Sequence, residues 1–479
     1  MSLADQLRFE LARIVIVARS PFLIGVEGGD GLHDAFFTTD ANGLPAIPGE
    51  SLAGILRHAL AEGADPATAE RCRVAFGFQD GDSGDSSAVE VSWAQVHGAN
   101  DQPVPFRGAS TNDPVLAFLA AGVFRDHVRL NRNGVAEQGG KFDELVVPAG
   151  ARFTFEVRLL ERAGLTVVEL LRLFGRPDVT LGRAGRRGLG RFQIVRVEHR
   201  RFDLTKADDR KAWETFPVSL HQPAPRGYLR PLPVEQFDTP TRGWAAGVLE
   251  LSPKGTWYVG GTIDPGLSPR KRKDGSDKAP DRYPMSERYL RWQDNRGQVS
   301  ERPRWLLPAS SLKGALRHRV AFHARLAAGE FAPVDPSSAT NFGDHANETF
   351  WFGVSRDKDK EQSDAPPGRL LLEDGHIEMS ASPDKDVQPF DHVSIDRFTQ
   401  GPLDGRLFDE SALYRPGARI AIPFALDTRD ASPAQLAALD AGLRDLCEGR
   451  LWVGAAGSRG HGEVRGEIRW HGQNPLAAR

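Results

Sequence analysis

Ile47-Pro-Gly-Glu-Ser-Leu-Ala-Gly-Ile-Leu-Arg-His58 occurs a second time in this chain, as Leu307-Pro-Ala-Ser-Ser-Leu-Lys-Gly-Ala-Leu-Arg-His318. Pro, Ser, Leu, Gly, Leu, Arg and His fall in register, seven of twelve positions. Each copy reads as the start of a helix. The proline stops the segment before it, Ser51 or Ser311 is placed to cap free amides, and an apolar periodic run follows. Arg57 and Arg317 recur near the helix start, a place whose exposed amides favour phosphate. The alternative reading of either copy alone is an ordinary capped core helix.

Other fragments repeat in the same order. Phe22-Leu-Ile-Gly25 matches Trp257-Tyr-Val-Gly260, and Phe142-Asp-Glu144 matches Phe408-Asp-Glu410. Gly150-Ala-Arg152 matches Gly417-Ala-Arg419. Leu181-Gly-Arg-Ala-Gly-Arg-Arg-Gly-Leu-Gly190 matches Val453-Gly-Ala-Ala-Gly-Ser-Arg-Gly-His-Gly462, with four glycines and Arg187/Arg459 aligned. The offset between copies grows from 235 residues at Gly25/Gly260 to 260 at Pro48/Pro308, so copy two carries an insertion between those points. Two domains are therefore expected, 1–205 and 246–479, joined by a proline-rich linker at 206–245, with a basic insertion at about 264–303. In each copy the order is strand, loop, helix, strand, polar excursion, strand, helix, glycine-rich turn, strand. That order fits an α+β fold of two tandem ferredoxin-like βαββαβ cores with long insertions.

Composition narrows the function. The 479 residues carry a net charge of −3, are 40% hydrophobic and 26% charged, and include two cysteines. A coat of uniform positive charge is excluded, so nucleic-acid binding must rest on local clusters. Cys72 and Cys447 cannot build a disulfide framework or a cysteine zinc site, and no signal peptide or membrane span is visible, so a cytoplasmic protein is expected. The glycine run lacks the Gly-Lys-Ser/Thr of a P-loop, and it follows a helix and precedes a strand, the reverse of a Rossmann fingerprint. His33, His58, His318 and His461 show no metal-ligand spacing. What remains is glycine that admits close backbone approach, beside arginine forks suited to phosphate: Arg183, Arg186 and Arg187. The excursion 124–144 adds Arg125, His127, Arg129 and Arg132 with Phe124 and Phe142; its counterpart at 390–410 has His392, Arg397, Phe398 and Phe408. Basic residues interleaved with aromatics suit single-stranded RNA. A solvated hairpin is the alternative for each.

The glycine-rich segment near each domain's end and the Pro-Gly/Ala-x-Ser-Leu-x-Gly-x-Leu-Arg stretch after its first strand together resemble the RAMP superfamily of CRISPR systems. Over both halves, the chain looks like a tandem backbone subunit of a type III, III-D-like, effector complex. The resemblance implies RRM-like domains that line up along a guide crRNA, hold its phosphates and project a thumb hairpin. It implies Ser51, Arg57, Arg125, His127, Arg129, Arg132, Arg183, Arg186, Arg187, Ser311, Lys313, Arg317, Arg397, Arg459 and His461 as RNA-binding candidates. It implies further backbone subunits, a large polymerase-like subunit, small subunits and a single-stranded target RNA as partners, and no membrane.

Backbone subunits of this kind cut target RNA with an aspartate in the loop before the helix. Here that loop reads Asp34-Ala-Phe-Phe-Thr-Thr-Asp40-Ala-Asn-Gly-Leu-Pro45-Ala-Ile-Pro48-Gly-Glu-Ser51. Asp34 takes the catalytic position, with Phe36 where the family pattern has proline. A carboxylate there can orient a 2′-hydroxyl or hold a divalent metal such as Mg2+. Asp30 is a second candidate, and an Asx-turn role is the alternative for Asp34. In copy two, aligning Asp294 with Asp40 puts Arg288 at the corresponding place with Glu287 beside it, and Asp264 or Asp281 could serve instead. Besides this endoribonuclease reading, a scaffold that binds guide without cutting and a guide-processing RAMP endoribonuclease, for which His33 is the one N-terminal histidine, remain open.

Overall fold

The computed structural model describes residues 7–25, 34–109, 112–130, 135–237, 241–261, 263–271, 277–331, 345–354 and 366–477. Asp30, Arg132 and His33 lie outside them.

In the first domain β1 (Arg8–Ala18) is a run of alternating and β-branched residues, buried along almost its whole length, as a central strand must be. It is followed by α1 (Gly49–Ala61), β2 (Val89–Val91), β3 (Arg152–Leu160), α2 (Val167–Arg172) and β4 (Phe192–Asp203). The sheet runs β4-β1-β3-β2 and is antiparallel throughout. In the second domain β5 (Trp244–Pro253), α3 (Ala309–Ala328), β6 (Leu370–Leu372), β7 (Ile420–Asp427), α4 (Pro433–Cys447) and β8 (Val464–Trp470) form the sheet β6-β7-β5-β8. Read by order of appearance, both are 4-1-3-2 arrangements, so the βαββαβ core occurs twice. Leu52 and Leu56 of α1 and Leu312 and Leu316 of α3 are fully buried on their sheets, each worth roughly 1.5–3 kcal/mol.

The prolines do end the preceding segments, but the serines do not cap. Pro48 and Pro308 are the N-cap residues, and neither helix has a side-chain cap. Ser51 and Ser311 sit inside the first turn, where their own amides already bond Pro48 and Pro308 carbonyls. The connecting segment 206–245 contains a helix (Ala207–Glu214) and a strand (Arg230–Leu232) that extends the first sheet beyond β4. Trp213, Phe216 and Phe237 of this segment pack on the first core.

The domains meet face to face. The first glycine-rich loop lies on the start of α3: a Cβ at Gly188 would stand 2.6 Å from the Ala309 Cβ and 2.9 Å from an Asp374 oxygen. Asp374, just past β6, accepts the Ala309 amide at 2.7 Å and an Arg125 guanidinium nitrogen at 2.9 Å. Part of the insertion, the hairpin Leu290–Gln293/Arg296–Val299, seals the other side, with the Trp292 indole donating to the Gly150 carbonyl at 2.7 Å.

Candidate RNA interface and carboxylate centres

A two-stranded hairpin projects from each domain: Val123–Leu130 with Ala136–Val146, and Val387–Ile395 with Pro402–Leu413. At the foot of each stands the repeated Phe-Asp-Glu, and all three side chains have work there. Phe142 stacks on His127, with ring centroids 4.8 Å apart, and Phe408 stacks on His392 at 4.9 Å. The Arg187 and Arg459 guanidinia lie 5.7 and 5.8 Å from the same phenylalanine rings.

The glutamate ties the glycine-rich loop to the hairpin. Buried Glu144 accepts from Arg183 at 2.8 Å and lies 3.3 Å from His127 and 3.8 Å from Arg187. Buried Glu410 accepts from Arg459 at 2.9 Å and Tyr258 at 2.7 Å, and lies 3.0 Å from His392. Burial opposes ionisation of both glutamates. Their hydrogen bonds, to His127 in one copy and to Tyr258 and His392 in the other, together with the arginines outweigh it, so both pKa values fall below the ordinary one. The loops need glycine here. A Cβ at Gly182 or Gly454 would stand 2.1 or 2.4 Å from the carbonyl oxygen of Leu23 or Tyr258, at positive φ in both copies.

Because strand residues alternate, the aspartate between Phe and Glu faces the other way. Asp143 accepts the Asp34 amide at 2.9 Å, and its own amide donates to the Asp34 carboxylate at 3.0 Å. Copy two repeats the exchange between Asp281 and Asp409, at 2.9 and 3.0 Å. This double bond pattern, and not the alignment of Asp294 with Asp40, identifies the counterpart of Asp34: it is Asp281. Among the described residues, Asp281 has a cationic partner that Asp34 does not. Lys278 donates to Asp281 at 2.7 Å and to Asp409 at 3.0 Å. That lysine hydrogen bond and the Asp409 amide hold the Asp281 pKa down at about 2.

The other copy-two candidates have structural settings. Asp264 accepts the Gly266 and Leu267 amides in a tight turn. Asp294 stands at positive φ at the tip of the 290–299 hairpin. Glu287 is buried between Arg125 and Arg304 and, against the cost of burial, is held at a pKa of about 2 by Arg125 and its other cationic neighbours. Arg125 itself is 2% exposed and joins Glu287 to Asp374, so this basic residue is an anchor between the domains and faces no groove. Lys313 is corrected in the same way: its ammonium donates to the Arg186 and Leu370 carbonyls at 2.8 Å, with no access to a phosphate. Burial, with Arg186 and Arg317 nearby, pushes its pKa down to about 7. Arg186 donates to the Gly368 carbonyl at 2.7 Å, inside the same joint. Arg317 pairs with Glu348 at 2.5 Å. His461, 4% exposed, is bonded to Thr256 at 2.8 Å.

Arg57, Arg129 and Arg397 are exposed, and Arg183, Arg187 and Arg459 keep about a third to a half of their side-chain surface in solvent. Two glycine-rich loops, each clamped to a hairpin of its own domain, are thus displayed by two ferredoxin-like cores in one chain. A family model, the RAMP superfamily, matches residues 15–193 and 294–465. The chain belongs to the RAMP superfamily. No curated protein matches it. RAMP proteins are CRISPR-associated RNA-binding proteins, and the two matched regions contain both glycine-rich loops and both Asp-bearing hairpin feet. Sequence reasoning had missed Asp143, Asp409, Glu144, Glu410, Tyr258 and Lys278; the repeated Phe-Asp-Glu was the signal for four of them. Among the described residues no three His, Cys, Asp or Glu side chains form a group able to hold a metal ion, and no helix is long and apolar enough to cross a membrane.

Proposed function

We propose that this chain is a tandem backbone subunit of a type III CRISPR effector, binding guide crRNA along both domains and cleaving target RNA through Asp34. The observation that supports cleavage in the first domain is the Asp34–Asp143 exchange, which holds an exposed carboxylate at the hairpin foot without a cation bonded to it among the described residues. Arg183 and Arg187 take backbone phosphates of the guide, and the exposed apolar residues of the hairpins (Val128, Leu130, Phe398, Leu407) part its bases.

In the cleavage step Asp34 accepts the proton of a target 2′-hydroxyl. The 2′-oxygen bonds to the adjacent phosphorus, and the P–O5′ bond breaks with its electron pair on O5′, which takes a proton from water. A 2′,3′-cyclic phosphate and a 5′-hydroxyl end result, while Asp34 returns its proton to solvent. Asp143 positions Asp34 through the paired amide bonds. The chain's donor set at this point is two carboxylates, which suits a hard cation such as Mg2+ only when RNA oxygens complete the shell. Asp34 and Asp143 would hold it, and it would supply positive charge to the phosphate.

The test is target-RNA cleavage by the guide-loaded assembly, wild type against Asp34→Ala, with Mg2+ and with EDTA. Loss of one cut with target binding intact is the expected result; an unchanged pattern would leave the chain a guide-binding scaffold. That second reading already has support in the second domain, where Lys278 occupies the carboxylate pair.

A further inference from the structure

Asp143 and Glu144 are neighbours on one strand, and their side chains leave it on opposite faces. On one face the buried Glu144 carboxylate accepts from Arg183 at 2.8 Å and lies 3.8 Å from Arg187. These two arginines keep 48% and 42% of their side-chain surface in solvent, so a ligand can reach them without displacing Glu144. On the other face Asp143 exchanges amide bonds with Asp34. The strand's edge binds the same loop, since the Leu145 amide donates to the Ala35 carbonyl at 2.9 Å. Residues 34 and 35 are therefore laid along residues 143–145, where consecutive Cα atoms are about 3.8 Å apart. A shift of Glu144 cannot leave Asp143, and through it Asp34, where they were.

Charge links the two faces. A guanidinium carries five N–H donors, so Arg183 has donors left after bonding Glu144. A phosphate on the exposed side of Arg183 and Arg187 is bridged to Glu144 through the same side chains, and charge-assisted bonds of this kind fix the geometry of both partners. The second domain lacks this dependence. Tyr258 stands where the first copy has Leu23, and its hydroxyl donates to Glu410 at 2.7 Å. Ala455 stands where the first loop has Arg183, which leaves Arg459 as that loop's arginine on Glu410. A neutral tyrosine hydroxyl holds Glu410 whether or not the arginine has a ligand.

We infer that the strand Phe142–Glu144 is a relay between guide loading and the cutting centre of the first domain. RNA phosphate on Arg183 and Arg187 fixes Glu144, and Asp143 passes that order to Asp34, which is set for reaction only once a guide is in place. Glu144 is thus a positioning residue, acting through its neighbour. The second domain, held by Tyr258, does not respond. The relay rests on the reading of Arg183 and Arg187 as guide contacts, and its test does not depend on cleavage.

The test is amide hydrogen exchange of the full-length protein, free and bound to a synthetic single-stranded RNA, in wild type and Glu144→Gln. In wild type, RNA is expected to slow exchange across 181–190. It is also expected to slow the Asp34 and Asp143 amides by at least about fivefold, the lower end of ordinary coupling between sites. The Asp281 and Asp409 amides should not change, a comparison within one protein that needs no variant. Glu144→Gln keeps the size of the side chain and removes its charge. In that variant the slowing at 181–190 is expected to persist and the slowing at Asp34 and Asp143 to disappear. Three results would overturn the relay and leave the guide reading standing: slowing at 181–190 with none at Asp34 and Asp143, equal slowing at both aspartate pairs, or a Glu144→Gln protein, folded by circular dichroism, that responds as wild type does. No slowing at 181–190 would overturn the guide reading and the relay with it.

Discussion

Asp34 and Asp281 occupy one position in two copies of a domain, and their surroundings have diverged. Both exchange amide bonds with the aspartate of a Phe-Asp-Glu hairpin foot. Among the described residues, Asp281 is paired with a lysine and Asp34 is not. The helix starts diverged as well: α1 has Ala53 where α3 has the buried Lys313. Duplication has kept the backbone frame, which every residue of the core depends on, and has changed the charges at its edges. Fold and activity can therefore differ in symmetry: two equal frames, two unequal sites.

The largest test of that inequality compares Asp34→Ala with Asp281→Ala in the guide-loaded assembly. The first is expected to reduce its cut by about 10²–10⁴-fold, the range of a lost acid–base group, and the second to leave the cut pattern unchanged. Equal losses would break the comparison. Next in size is Arg125→Ala against Phe390→Ala. Removing Arg125 leaves Glu287 and Asp374 buried without their shared cation, at an expected cost of about 3–5 kcal/mol. Phe390 stands opposite Glu410 as Arg125 stands opposite Glu144, and truncating this half-buried ring is expected to cost about 1 kcal/mol. Urea unfolding of both variants measures the difference.

Lys278→Ala sharpens the comparison at the site itself. Losing the lysine is expected to raise the Asp281 pKa from about 2 toward its ordinary 3.8 and to bring out a second target cut. Carboxyl-carbon NMR of labelled aspartate reads the first change and cleavage mapping the second. The sign of the shifts also says that pH alone will not open this pair. Asp281 is depressed, so its contribution is lost only as pH falls through about 2. Lys278 is raised, so its contribution is lost only as pH rises above its ordinary 10.5. Between pH 6 and 9 the cut pattern of the wild type should not change.

Much of the frame was legible in the sequence because a repeated motif carries its own control. Two copies of the helix start and of the glycine run, in the same order, imply one topology twice, and both sheets have it. The roles of single side chains were less legible, since they depend on pairing across great sequence distance. Nothing local to Phe142-Asp-Glu144 says that Asp143 meets a loop 109 residues earlier. Arg125 belongs to a string that reads as basic surface and Lys313 to a repeated helix start, and whether either cation faces RNA or the protein is decided by the joint between the domains. Asp281 was obscured by an insertion that lies partly before it and partly after, which defeats alignment from either flank but not the hydrogen-bond pattern.

The last expected effect concerns the helix starts. Lys313→Ala makes the second copy like the first at this position. With a folded-state pKa of about 7 against an ordinary 10.5, Lys313 binds its proton more weakly in the native protein than in the unfolded chain. Between those pH values the unfolded state holds the extra proton, so wild-type stability rises with pH across the window. The slope approaches at most about 1.4 kcal/mol per pH unit from this group. The alanine variant lacks the slope, although it also leaves the Arg186 and Leu370 carbonyls without their donor. Thermal unfolding at pH 7, 8 and 9 separates the two effects, since the lost hydrogen bonds shift all three midpoints together and the lost titration changes their spacing. Parallel shifts with unchanged spacing would mean that the ammonium keeps its proton in the joint, and that the carbonyls of Arg186 and Leu370 compensate its burial fully.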